Sequence, residues 1–230
     1  MKLTVLGKYG PYPFGQNTAC SGYLIEDGDT KLLVDCGSGV LARLTDKINI
    51  NDLTAIYLTH LHFDHTSDLL PMGYLLDDFN KDVPVYTCLT GSQYEKILFT
   101  NKHFMPIHVD SSSNVNIGNL KLTFYEMMHP VINHGVLIEG NVKLGITGDT
   151  KYCDNVLKLA EKSDYLLADC SKPKGFNGPH MGVEYATKLI NETNTIIFAT
   201  HVTPNTKSFI NNSDNRIILV EELSTYNLIK

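Results

Sequence analysis

Four stretches far apart in the chain share one pattern, an apolar, strand-like run that ends on histidine or aspartate. They are "LTAIYLTHLHFDH" (53–65), "LTFYEMMH" (122–129), "LGITGD" (144–149) and "TIIFATH" (195–201). Buried strands pack side by side in sheets, so polar residues placed just past their ends collect along one rim. The pattern therefore predicts a layered α/β fold with its chemistry at a sheet edge.

The remaining runs fill in the layers. "KLTVL" (2–6), "VPVYTC" (83–88), "DYLLAD" (164–169) and "NRIILVEE" (215–222) read as strands. Hairpins are expected at 23–35, around Asp27-Gly28-Asp29, and at 134–147, around Gly140-Asn141. Helical spacing marks 36–48, 67–80, 92–102, 155–162 and 181–193, while "DSSSNVNIGN" (110–119) reads as a turn. A strand meander leading into alternating α and β segments occurs once in each half. This predicts two mixed β-sheets face to face with helices outside, a four-layer αββα sandwich formed as a single domain over residues 1–230.

Composition narrows the partners. A net charge of −6 argues against a protein that wraps long nucleic acid. A small anionic substrate stays compatible, because bound metal ions supply positive charge locally. The five cysteines (20, 36, 88, 153 and 170) are scattered and read as packing residues, which fits a reducing compartment. No run approaches the ~18 apolar residues of a membrane span, and "MKLTVLGKYGPYPFG" has too short an apolar core for a signal peptide. A cytoplasmic protein that does not enter a membrane is expected.

The stretch 60–65 carries the sharpest chemistry. In an extended chain His60 and His62, two residues apart, point to one side, and Asp64 and His65 follow where the chain turns. Imidazole nitrogen and carboxylate oxygen, with no thiolate, are donors suited to zinc and related divalent ions. His129, Asp149 and His201 each end a strand-like run. Any one alone would be read as a hydrogen-bonded turn residue; three of them following the cluster extend it.

The order H-L-H-F-D-H, then His129, then "GDT" with Asp149, then "TH" with His201, preceded by "LLVDCGSG", resembles the metallo-β-lactamase superfamily of metal-dependent hydrolases over nearly the whole chain. The resemblance implies two adjacent divalent ions; the His and carboxylate donors admit Zn, Mn, Fe, Ni or Co, with Zn2+ the expectation and Mn2+ next. His60, His62 and His129 would hold one, Asp64, His65 and His201 the other, and Asp149 would bridge them. A hydroxide shared by the ions would be the nucleophile, with Asp64 also steadying it. Asp35 would either orient the ligand loop or cap the Gly-rich turn. A homodimer is also what the resemblance implies.

Within the superfamily, the H-x-H pair and the lack of room for a flavin domain turn the expectation away from its redox members, and Asp149 turns it away from the true β-lactamases. "LLADCSKPKGFNGPHMGVEYA" resembles the ribonuclease Z-like branch, in which an acid and a histidine that is not a ligand assist phosphodiester cleavage. Here those would be Asp169 and His180, with His180 protonating the departing oxygen; the bland reading makes His180 an ordinary helix-start residue. The leading expectation is a phosphodiesterase acting on a small or cyclic substrate. The alternatives are an acyl or lactone hydrolase, a tRNA 3′-processing endonuclease (disfavoured because no clamping arm is present) and a non-catalytic metal scaffold. Tyr9, Tyr12 and Phe14 in the long early loop either wall a pocket or, the favoured reading, pack against the body. His103, His108, Lys172 and Lys174 read as structural or solvated, and His134 as a pocket-lining residue at most.

Overall fold

Strand alternation sets the layers. The computed structural model describes residues 1–211 and 214–230. In chain order its strands are β1 (Lys2–Gly7), β2 (Gly22–Asp27), β3 (Thr30–Val34), β4 (Ala55–Tyr57), β5 (Val83–Thr87), β6 (Phe104–His108), β7 (Asn114–Ile117), β8 (Leu120–Glu126), β9 (His134–Glu139), β10 (Lys143–Ile146), β11 (Tyr165–Asp169), β12 (Ile196–Thr200), β13 (Ile217–Leu219) and β14 (Thr225–Asn227). They form two seven-stranded sheets, ordered β14-β1-β2-β3-β4-β5-β6 and β13-β12-β11-β10-β9-β8-β7. Each sheet has an antiparallel meander that continues into parallel strands.

Successive residues of one strand serve different cores. Tyr23, Ile25, Leu32, Val34 and Tyr57 face the second sheet, where Leu122, Phe124, Val136, Ile138 and Phe198 meet them. Leu24, Leu33 and Ile56 point the other way, into a core shared with α1 (Val40–Lys47), α3 (Leu69–Phe79) and α4 (Gln93–Leu98). On the opposite side Leu166, Ala168, Ile197 and Ala199 pack with α5 (Asp154–Lys162), α6 (Glu184–Glu192) and α7 (Pro204–Asn211). Helix, sheet, sheet, helix is the αββα sandwich expected.

The differences from expectation fall at edges. Residues 114–117, read as part of a turn, form edge strand β7, where only Ile117 is buried and alternation therefore leaves little trace. "FMPIH" forms β6, an edge strand of the first sheet, whose proline an edge tolerates. Helix α6 starts at Glu184, not residue 181, and the strand expected over 215–222 shortens to β13. Helix α7 was not expected, although Thr203-Pro204 is a recognisable start signal. Among the described residues, no helix is long and apolar enough to cross a membrane.

Candidate metal centre

The rim predicted from the sequence exists. Asp35, His60, His129, Asp149 and His201 follow the C-terminal ends of β3, β4, β8, β10 and β12, and Asp169 is the last residue of β11. His62 precedes the one-turn helix α2 (Phe63–Thr66), which turns Asp64 and His65 inward and buries both. Gly148 sits at φ +60°, and a Cβ there would lie 2.7 Å from Asn133 Oδ1 and 3.0 Å from Thr59 Cβ, so the turn that delivers Asp149 requires glycine. Asp35 and His201 also adopt the left-handed region, at φ 59° and 57°. For residues with a side chain that costs on the order of 1 kcal/mol each, and such strain gathers at functional sites.

The donors form two adjoining groups. In the first, His60 Nε2 and His129 Nε2 lie 3.0 and 3.2 Å from His62 Nδ1. In the second, His65 Nε2 is 3.5 Å from Asp64 Oδ2 and 3.4 Å from Asp149 Oδ1, and His201 Nε2 is 3.1 Å from Asp149 Oδ1. Two nitrogens each ~2.1 Å from one tetrahedral ion stand about 3.4 Å apart, so these spacings suit a cation. Among the described residues, the buried atoms His65 Nε2, Asp149 Oδ1 and His201 Nε2 find no hydrogen-bond partner, although each faces an atom of opposite character. Buried polar atoms are rarely left so, and a divalent ion would satisfy all three. The residues fit a pair of divalent ions by their donor chemistry.

Asp35 sets the tautomers from behind. Its Oδ2 accepts from His65 Nδ1 at 2.7 Å and from Ser21 Oγ at 3.1 Å, while Oδ1 accepts from Thr59 N at 2.9 Å and Thr59 Oγ1 at 3.0 Å. Because the Thr59 hydroxyl donates to Asp35, it accepts from His60 Nδ1 at 3.1 Å. Both rings thus carry their proton on Nδ1 and turn Nε2 to the cluster. His129 does the same by donating from Nδ1 to the Pro179 carbonyl. Of the two roles open to Asp35, the structure selects orientation. Asp35→Asn is expected to weaken metal binding about 10- to 100-fold, because one amide N–H would confront a donor. A chelator-competition titration checks this; native affinity in the variant would remove the role.

Electrostatics agree with the geometry. Burial holds His60, His62 and His129 below the usual imidazole range, so each is neutral near pH 7 and keeps a lone pair. Burial alone would push Asp149 up, but His201 and His65 outweigh it and hold the carboxyl well below its ordinary range. His65 is pushed well above its ordinary value, because the charges of Asp35 and Asp149 overcome burial. A cation entering the cluster would displace the Nε2 proton.

His180 lies in the loop before α6, not in the helix. Its Nδ1 donates to Asp169 Oδ2 at 2.9 Å and is 3.7 Å from Asp149 Oδ2. Asp169 is fully buried and held in place, accepting from Ser171 N at 3.0 Å and Thr150 N at 3.3 Å. Burial works against protonation of His180, but Asp169 and then Asp149 outweigh it and raise the imidazole above its usual value.

Some contributors were not anticipated. Thr59 relays the orienting bond to His60, and its position just before the motif was an available signal. Gly10, in the early loop, approaches so closely that a Cβ would sit 2.6 Å from Asp64 Oδ2 and 2.8 Å from His201 Nε2. Lys151 lines a cleft of about 330 Å³ beside His129. Tyr12 and Phe14 are 63% and 53% exposed, so the expectation that they pack against the body is overturned. Cys36 and Cys170 are fully buried, and burial pushes the Cys20 thiol up to about 12, as suits packing residues. Among the described residues, no group of three or more metal donors includes His103, His108 or His134.

Residues 30–201 match the model of the β-lactamase superfamily domain. The chain is 31% identical to the probable metallo-hydrolase YhfI of Bacillus subtilis, over 84% of this chain and 82% of that one. The crystal structure of YhfI superposes with a TM-score of 0.89, at 27% identity and 98% coverage of both chains. A ribonuclease Z of Methanopyrus kandleri is 32% identical over 67% of this chain and 55% of its own length. A diphosphatase of the PhnP family shares the fold, with a TM-score of 0.78 at 15% identity, over 99% of this chain and 97% of that one.

Proposed function

Because the chain belongs to the metallo-β-lactamase superfamily, we propose that it is a two-metal hydrolase that cleaves a small or cyclic phosphodiester. His60, His62 and His129 would hold one ion, Asp64, His65 and His201 the other, with Asp149 shared between them. The donor set favours Zn2+, with Mn2+ as the alternative. When bound, the pair would acidify water toward neutral pH and offset the negative charge of an anionic substrate.

The observation that carries the choice of phosphodiester is the His180–Asp169 pair beside the cluster. An alkoxide leaves a phosphodiester poorly unless it is protonated as it departs. Asp169 takes the Nδ1–H of His180 at 2.9 Å, which fixes the ring and leaves Nε2 as the atom that meets the departing oxygen. Asp64, 8% exposed and a member of the second donor group, would hold a proton of the attacking water. The 32% identical relative named ribonuclease Z supports phosphodiester chemistry. The chain's net charge of −6 supports a small substrate over long RNA.

The test is leaving-group dependence. His180→Ala is expected to slow hydrolysis of a dialkyl phosphodiester by ~10²- to 10³-fold, with metal content unchanged. A 4-nitrophenyl ester, whose leaving group needs no proton, should lose less than about tenfold. Equal losses on both esters, or none on either, would remove the acid role. Turnover of lactones or thioesters with no turnover of any phosphodiester would overturn the proposal itself.

A further inference from the structure

Beside the second donor group lies a cleft of about 350 Å³, walled on one side by the early loop with Tyr9, Tyr12 and Phe14 and on the other by Lys172 and Thr203. Gly10 belongs to the same wall, and a Cβ built on it would lie 2.6 Å from Asp64 Oδ2 and 2.8 Å from His201 Nε2, so the cleft adjoins the second donor group. Resting on the reading of the site as one for phosphoesters, we propose that this cleft binds a planar aromatic group of the substrate, a nucleobase, and so selects nucleotide esters.

Water-exposed aromatic rings are an unfavourable way to finish a loop, and folding offers no return for these two. Tyr12 and Phe14 leave 63% and 53% of their surface in solvent. Neither belongs to, or is packed against, any of the hydrophobic cores. The loop that presents them is tied at both ends. The His201 N–H donates to the Lys8 carbonyl at 3.0 Å, and Tyr9 N donates to the Ala19 carbonyl at 3.2 Å. Glu222 Oε1 accepts from Ala19 N at 2.8 Å and from Arg43 Nη1 at 2.6 Å, while Arg43 also reaches the carbonyls of Leu6 and Asn17. Exposed rings on an anchored loop form a ready-made stacking platform, and the volume is of the size that small ligands occupy. Stacking needs only a π face. The cleft accordingly recognises the base as an aromatic plane, while the cluster takes the phosphate.

Equilibrium binding separates this inference from the one on which it rests. Adenosine 5′-monophosphate and ribose 5-phosphate present the same phosphate and sugar and differ in the base. Calorimetry on the metal-loaded protein should show the nucleotide binding roughly 10- to 100-fold more tightly. In the double variant Tyr12→Ala, Phe14→Ala that preference should fall to within about threefold, with the affinity for ribose 5-phosphate unchanged. Both side chains are largely solvent-exposed, so the variant keeps its fold. Equal affinities in the native protein, or a preference that survives the double variant, would overturn the inference. A base-dependent affinity in a protein that hydrolyses no phosphodiester would overturn the proposed function and leave this cleft standing. Phosphodiester turnover without base dependence would do the reverse.

Discussion

Asp149→Ala is expected to cut turnover of the preferred substrate by roughly 10³-fold or more. Its carboxylate faces His201 and His65 through Oδ1, at 3.1 and 3.4 Å, and His180 through Oδ2 at 3.7 Å. Among the described residues, Asp149 belongs both to the second donor group and to a group with His129 and His180. Alanine removes the shared negative charge and leaves His60, His62 and His129 in place. Metal content should therefore fall from two ions per chain toward one, measured by mass spectrometry on the dialysed protein. Asp149→Asn keeps the shape without the charge and should resemble alanine in turnover. Two ions retained together with native turnover would end the case for a bridging carboxylate.

Stripping the metal is the second large effect. With free ion at about a thousand times its dissociation constant, one site contributes ~4 kcal/mol to folding stability. In a chain of this size 1 kcal/mol moves the melting temperature by about 2–4 °C. Chelation should thus lower Tm by roughly 10 °C, and re-addition of Zn2+ should restore it. The physical source is the set of buried atoms at His65, Asp149 and His201 that find no hydrogen-bond partner among the described residues. The Asp149→Ala protein should respond to chelator by a smaller shift. Identical melting curves with and without metal would mean that the donors do not capture an ion in the folded state.

The donors were legible because each sits at a strand end, where an apolar run stops on a residue that has no business in a core. Periodicity and residue type together were enough to bring His60, His129, Asp149 and His201 to one rim. The role of Asp35 was not legible: capping and orienting both suit an aspartate after "LLV", and only the bonds to His65 and Thr59 distinguish them. Edge strands β6 and β7 were obscured for the opposite reason, since a strand that faces solvent along much of its length loses the alternation that reveals it. Tyr12 and Phe14 were misread because hydrophobicity alone suggests burial, whereas a loop without helical or strand periodicity carries no signal for which way its side chains turn.

His60, His62, Asp64 and His65 hang from the first sheet, and His129, Asp149 and His201 from the second. Neither half owns a complete set, so each ion would act as a rivet through the seam between the two halves. Slippage along that seam would shed the cargo before a single strand unzipped, making occupancy a gauge of how tightly the sandwich is closed.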